Sequence, residues 1–188
     1  MKININQNFE TFTEAILEKA EIFHFNLKEL PNVNEFKTDI RLETVFEELF
    51  KELNKKTNHC LYWFELDSID YANKLNILLN NNRKKLGLNK RVVPVINKNT
   101  NSNVLYVGIR RGGIRKYDGL TNISGRIIQH LGYYVKGSTQ GLQLVHWTDK
   151  TDINIKLSVI EFNDLPHEYL NVIEKLVAFK LKPLCGKH

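Results

Sequence analysis

Apolar residues recur along this chain with two periods, and an element ends where one period gives way to the other. The segment FTEAILEKAEIF sets Phe12, Ile16 and Phe23 at helical spacing, and after Pro31 a second run puts Phe36, Ile40, Val45, Phe46, Leu49, Phe50 and Leu53 on one broad stripe. Helices are therefore expected before residue 57, and their stripes need cover, either from the rest of the domain or from a second copy in a homodimer. CLYWFEL, Cys60 to Leu66, interleaves Leu61, Trp63 and Leu66 with Tyr62 and Phe64 and predicts a strand. Ser68 suits the cap of a following helix with Tyr71, Leu75, Leu78 and Leu79 inward and Arg83, Lys84 and Lys85 in its last turn. RVVPVINKNTNSN reads as a surface connection.

A second strand is expected over Val104 to Ile109, ended by Gly112-Gly113. The next helix opens near Thr121 or Asn122 and closes at Gly132. Two further strand-like runs follow, LQLVHWT (142–148) and KLSVIEF (156–162). The last helix starts at Asn163 or Asp164, tolerates Pro166 in its first turn and runs to Lys182, where Pro183 stops it. Its main apolar face is expected to be Tyr169, Val172, Ile173, Leu176 and Phe179, with Glu174 falling among Leu170, Val177 and Leu181.

Charge adds a direction to this layout. The net charge is +6 over 188 residues, but 83–126 alone holds 11 lysines and arginines against a single acid, Asp118, whereas 1–57 holds 8 against 11. A basic block running into the central strand and helix is the footprint of a polyanion partner; the bland reading is a solvated basic surface. No stretch is long and uncharged enough to span a bilayer, and the N-terminus lacks a basic region followed by an apolar run, so a cytoplasmic protein is expected. Two cysteines, Cys60 and Cys185, set far apart, argue against a disulfide scaffold or a zinc site.

Three observations carry candidate chemistry. Arg126 and His130 are four apart, so a helix sets both on one face about a turn from each other, which suits a phosphate. Glu174 is a carboxylate in an otherwise apolar stripe, costly unless paired or bound to a metal. His146 and Trp147 could stack a base, although a tryptophan there is more often core.

In this order the pieces resemble the GIY-YIG nuclease family: Cys60-Leu61-Tyr62 as the first motif, Tyr106-Val107-Gly108 as the second, Arg126 on a helix, then Glu174 and Pro183. The Arg-x-x-x-His spacing looks most like the restriction-endonuclease branch. The resemblance covers about 130 residues from His59 onward. Cysteine replaces the first glycine, 44 residues separate Tyr62 from Tyr106, and the asparagine that many members carry after the terminal proline is missing, with Lys187 the candidate to replace it.

The resemblance implies an α+β fold, a small, mostly antiparallel sheet flanked by helices, in a nuclease domain over 58–188 with a helical insertion at about 67–103 and a helical N-terminal extension over 1–57. It also implies a restriction-like, metal-dependent endonuclease acting on double-stranded DNA, with no membrane partner expected. Glu174 would hold Mg2+ or Mn2+, Arg126 would clamp the phosphate, one of Tyr62 and Tyr106 would take the proton of the attacking water, and His130 would hydrogen-bond the nucleophile or the phosphate. Arg110, Arg111, Arg115, Lys116 and Lys136 would contact nucleic acid. The rival function is a nucleic-acid-binding module on the same fold that does not cut.

Overall fold

The computed structural model describes residues 5–33, 38–134, 140–148 and 151–187. Phe36 and Lys136 therefore lie outside the described residues. The elements run α1 (Ile5–Leu17), β1 (Glu21–Asn26), α2 (Thr44–Leu53), β2 (His59–Leu66), α3 (Ile69–Leu88), β3 (Val104–Arg110), α4 (Asn122–Leu131), β4 (Asn154–Phe162) and α5 (His167–Leu181). The strands form one four-stranded sheet in the order β1-β4-β2-β3, with every neighbouring pair antiparallel. The fold is thus α+β, with an antiparallel sheet covered by helices. No helix among the described residues is long and apolar enough to cross a membrane.

β2 lies in the middle because its side chains are apolar in both directions. Cys60, Tyr62 and Phe64 point into the larger core with Phe46, Leu49 and Phe50 of α2, Leu75 and Leu79 of α3 and Ile123 and Ile127 of α4. Leu61 and Trp63 point the other way, into a smaller core with Ile16 of α1 and Ile173, Val177 and Ala178 of α5. A strand buried on both faces reads as a continuous apolar run, as CLYWFEL does.

Four expectations are corrected. Residues 21–26 are a strand, so Phe23 continues no helix; β1 pairs along its whole length with β4. Together with the burial of Leu27, Leu30, Ile40, Phe46, Leu49, Phe50 and Leu53 in the larger core, this makes 1–57 part of the same sheet and core rather than an added helical arm. Residues 142–148 form no strand but a tight 3-10 turn at Leu144–His146, anchored by the Trp147 indole N–H donating to Leu142 O at 2.6 Å. On α3, Tyr71 faces solvent while Ala72 packs inward. On α5, Tyr169, Val172 and Phe179 are exposed, and the packed face is Leu170, Ile173, Val177 and Ala178. That turn of the helix brings Glu174 to the margin of its buried side.

The connection over 91–103 does more than span the surface. Asn97 and Asn99 each donate to Pro183 O at 3.0 Å, Asn97 N donates to Leu184 O at 2.8 Å and Gly186 N to Val95 O at 2.9 Å. The tail in turn donates from Leu184 N to Val104 O and from Cys185 N to Leu105 O, at 2.9 and 3.0 Å. The outer edge of β3, beside Tyr106, is thereby covered instead of left as an open row of backbone groups.

Candidate functional site

The site forms where β2, β3 and α4 meet. Tyr62 stands opposite Gly108 in the β2–β3 register, and a Cβ at Gly108 would lie 2.6 Å from Tyr62 Oη and 2.7 Å from Tyr106 Cε1. Only glycine leaves room there for both phenol rings, which stack with centroids 6.2 Å apart at 28°. α4 supplies the other two groups. Thr121 caps it through its hydroxyl, donates that hydroxyl to Leu53 O at 2.9 Å and receives support on its own N–H from Asn54 Oδ1 at 2.8 Å, so the end of α2 fixes where α4 begins. Gly132, with φ of 104°, ends the helix in the left-handed conformation.

From this mounting Arg126 and His130 both reach the tyrosines, as their spacing predicts. Arg126 donates from Nε to Tyr62 Oη at 2.9 Å, from Nη2 to Tyr106 Oη at 3.4 Å and from Nη1 to Gln140 O at 2.5 Å. His130 is fully buried, with Nε2 2.9 Å from Tyr62 Oη and Nδ1 accepting the Leu142 N–H at 3.1 Å. Burial, and then the Arg126 charge, hold its pKa well below the ordinary 6.5, so the ring is neutral. Since Nδ1 accepts, the single ring proton sits on Nε2, and His130 donates to Tyr62. Tyr62 Oη therefore receives two N–H donors, one of them charged.

Electrostatics extend the cluster to α5. Burial raises the Glu174 carboxyl from 4.5 to about 7 against the opposing pull of Arg126 and Lys175. Glu174 is close enough in turn to raise the phenols of both Tyr62 and Tyr106. Burial is the largest cause of the upward shift at each tyrosine, and Arg126 works against it. Burial also disfavours the Arg126 charge, but the two tyrosine oxygens outweigh it and the guanidinium is held ionised. Tyr62, Tyr106, Arg126, His130 and Glu174, far apart in sequence, thus share one neighbourhood.

The basic residues flank it. Arg110, at the end of β3, lies within electrostatic range of Arg126 and Tyr62. With Arg111, Asn122, His167 and Asn171 it lines a cavity of about 380 Å³ between β3, α4 and α5. Arg115 pairs with Asp118 at 3.0 Å, and Lys116 is exposed beside them. Lys187 is exposed. His146 faces the end of α4, with Nε2 3.0 Å from Gly132 O, and Trp147 is core. Three contributors were not singled out from sequence: the Leu142 N–H, the Gln140 carbonyl and Asn171, one helical turn before Glu174. The first two are backbone groups and carry no signal in residue type.

Among the described residues no group of three or more His, Cys, Asp or Glu side chains is gathered that could hold a metal ion. The donor set fits a divalent cation only in a sparse form: Glu174, a half-buried carboxyl that a cation would ionise, with the remaining ligands from water and substrate oxygens. No protein-family model matches this chain, and no match was found among curated proteins or solved structures.

Proposed function

We propose that this protein is a metal-dependent endonuclease of the GIY-YIG type, hydrolysing phosphodiester bonds of double-stranded DNA in the manner of a restriction enzyme. The observation that carries the reading is the convergence of the Arg126 and His130 N–H groups on Tyr62 Oη, next to Tyr106 and within reach of the Glu174 charge. Burial raises the Tyr62 phenol, and two donors aimed at its oxygen work against that shift, towards the ionised form that can accept a proton from water. Tyr62 is accordingly the base in this reading, and Tyr106, whose bond to Arg126 is longer, orients the nucleophile or the phosphate.

Arg126 has a second task. Its planar fork already spans both tyrosines, and the same charge opposes the negative charge that builds on the non-bridging oxygens as the phosphate is attacked. Glu174 would hold Mg2+ or Mn2+, which supplies Lewis-acid charge to the phosphate and to bound water. His130 stays neutral and keeps Tyr62 in register. Arg110 and Arg111 would carry the flanking phosphates.

Full burial of Tyr62 favours the rival reading, a module that binds nucleic acid without cutting. Glu174→Ala separates the two. In the enzyme reading wild type cuts plasmid DNA in Mg2+ or Mn2+, and the variant binds with unchanged salt dependence but does not cut. Wild type that binds and never cuts in either metal leaves the module.

A further inference from the structure

Tyr117 stands on the tip of the turn between β3 and α4 with 99% of its surface exposed, and Ile114, on the same turn, is 63% exposed. Exposed apolar residues are common on proteins, but these two are held out by a scaffold. Arg115 N donates to Leu120 O at 2.7 Å, Asn122 N to Gly113 O at 2.8 Å and Gly119 N to Arg115 O at 3.2 Å. The base of the turn is tied to the domain by Gly113 N donating to Thr57 O at 2.7 Å, by Gly112 N donating to His59 Nδ1 at 2.9 Å and by the Asn122 side chain donating to Gly112 O at 2.8 Å. Gly113 and Gly119 take positive φ, 121° and 67°, which this path requires. An ordered turn that sets an aromatic ring wholly in solvent gains nothing for the fold from that ring.

The surroundings point to what the ring meets. Arg110, Arg111, Arg115 and Lys116 flank the tip, and the one acid, Asp118, is paired with Arg115. The Arg115 guanidinium also packs against Gly125, where a Cβ would collide with it, so the turn is seated on α4 directly beside Arg126. Cations for phosphates, an aromatic and a branched aliphatic at the tip, and a rigid link to the phosphate-clamping residue together fit a DNA groove. We infer that the turn over 110–119 is a probe of duplex DNA, with Tyr117 inserted against a base step next to the bond that is cut and Ile114 packed beside it. This rests on the nuclease reading for its choice of duplex DNA as partner. It adds a contact that reads base stacking and step deformability rather than charge.

The test is equilibrium binding of a random-sequence duplex pool carrying a fluorescent adenine analogue, in EDTA so that nothing is cut, over a range of salt. Tyr117→Ala is expected to bind about 5- to 150-fold more weakly, the range of one aromatic–base stack, with the slope of log K against log salt unchanged. Tyr117→Trp restores affinity, and the analogue's unstacking signal disappears only in Tyr117→Ala. Lys116→Ala instead lowers the slope by about 0.9, the signature of one lost phosphate contact. Because Tyr117 has no packing to lose, thermal stability is unaffected. Wild-type affinity in Tyr117→Ala, or an unstacking signal that persists in it, overturns the inference while leaving the nuclease reading in place if the variant still cuts plasmid. Absence of duplex binding by wild type overturns both.

Discussion

His130 Nε2 and Tyr62 Oη lie 2.9 Å apart, and the amide of Leu142 on the far side of the imidazole decides which way that bond runs. A backbone N–H can only donate, so it fixes Nδ1 as acceptor and leaves the ring proton for Tyr62. His130→Phe keeps a ring of similar size and removes both bonds. Loss of a hydrogen bond to a charged group is worth about 1.5–3 kcal/mol, so cleavage should fall about 10- to 150-fold. Orphaning the buried Leu142 N–H should lower unfolding free energy by about 1–3 kcal/mol. Single-turnover cleavage and thermal melts check the two effects separately.

Glu174 and His130 give opposite pH dependences to stability in overlapping windows. Burial raises the Glu174 carboxyl from 4.5 to about 7, so between those values the folded state holds a proton that the unfolded state has released, and stability falls as pH rises. His130 is pushed well below 6.5, so below 6.5 the unfolded state takes up a proton that the folded state refuses, and stability falls as pH drops. In the metal-free wild type the two slopes partly cancel. Glu174→Gln should therefore gain stability more steeply as pH rises toward 6.5, whereas His130→Phe should lose stability from pH 4.5 to 7. Urea melts across that range, with no divalent metal present, read both slopes; parallel profiles in the two variants would contradict the assignment.

Gly108 is where backbone and chemistry compete for space. Gly108→Ala drives a methyl to within 2.6 Å of Tyr62 Oη, so one phenol must move away from Arg126. Overpacking of this kind costs about 1–3 kcal/mol, and cleavage should drop further than stability does because the two oxygens lose their common donor. Thermal melts beside plasmid cleavage would show the expected disproportion.

Removing residues 1–57 should abolish folding, not merely a regulatory arm. The deletion takes away β1 and the buried side chains Leu27, Leu30, Ile40, Phe46, Leu49, Phe50 and Leu53, each worth about 1.5–3 kcal/mol on burial. Together these come to about 10–20 kcal/mol, as large as or larger than the total stability of about 5–15 kcal/mol typical of a domain. Circular dichroism of the truncated chain should show no cooperative transition; a cooperative melt would mean that 58–188 folds alone.

These outcomes also mark what was legible in the chain. β2, β3 and α4 were, because CLYWFEL is apolar on both sides, Gly-Gly ends β3, and Thr121 and Gly132 bracket a helix. The Arg126–His130 pair was legible because a helix converts spacing four into a shared face. β1 was not, since EIFHFN follows a helical run with no break stronger than a short turn. Nor was the packed side of α5: its larger apolar residues, Tyr169, Val172 and Phe179, face solvent, and size alone does not say which stripe the sheet will cover. The Leu142 and Gln140 contributions could not be read at all, because any residue brings an amide and a carbonyl.

Tyr62→Phe tests the central claim most directly. The substitution removes only the oxygen on which Arg126 and His130 converge and keeps the ring that packs against Phe64 and Tyr106. With plasmid DNA and Mg2+ or Mn2+, the variant should lose about 10²- to 10⁴-fold in cleavage rate, the worth of a positioned base, while duplex binding stays at the wild-type level. Cleavage by Tyr62→Phe at the wild-type rate would contradict the account.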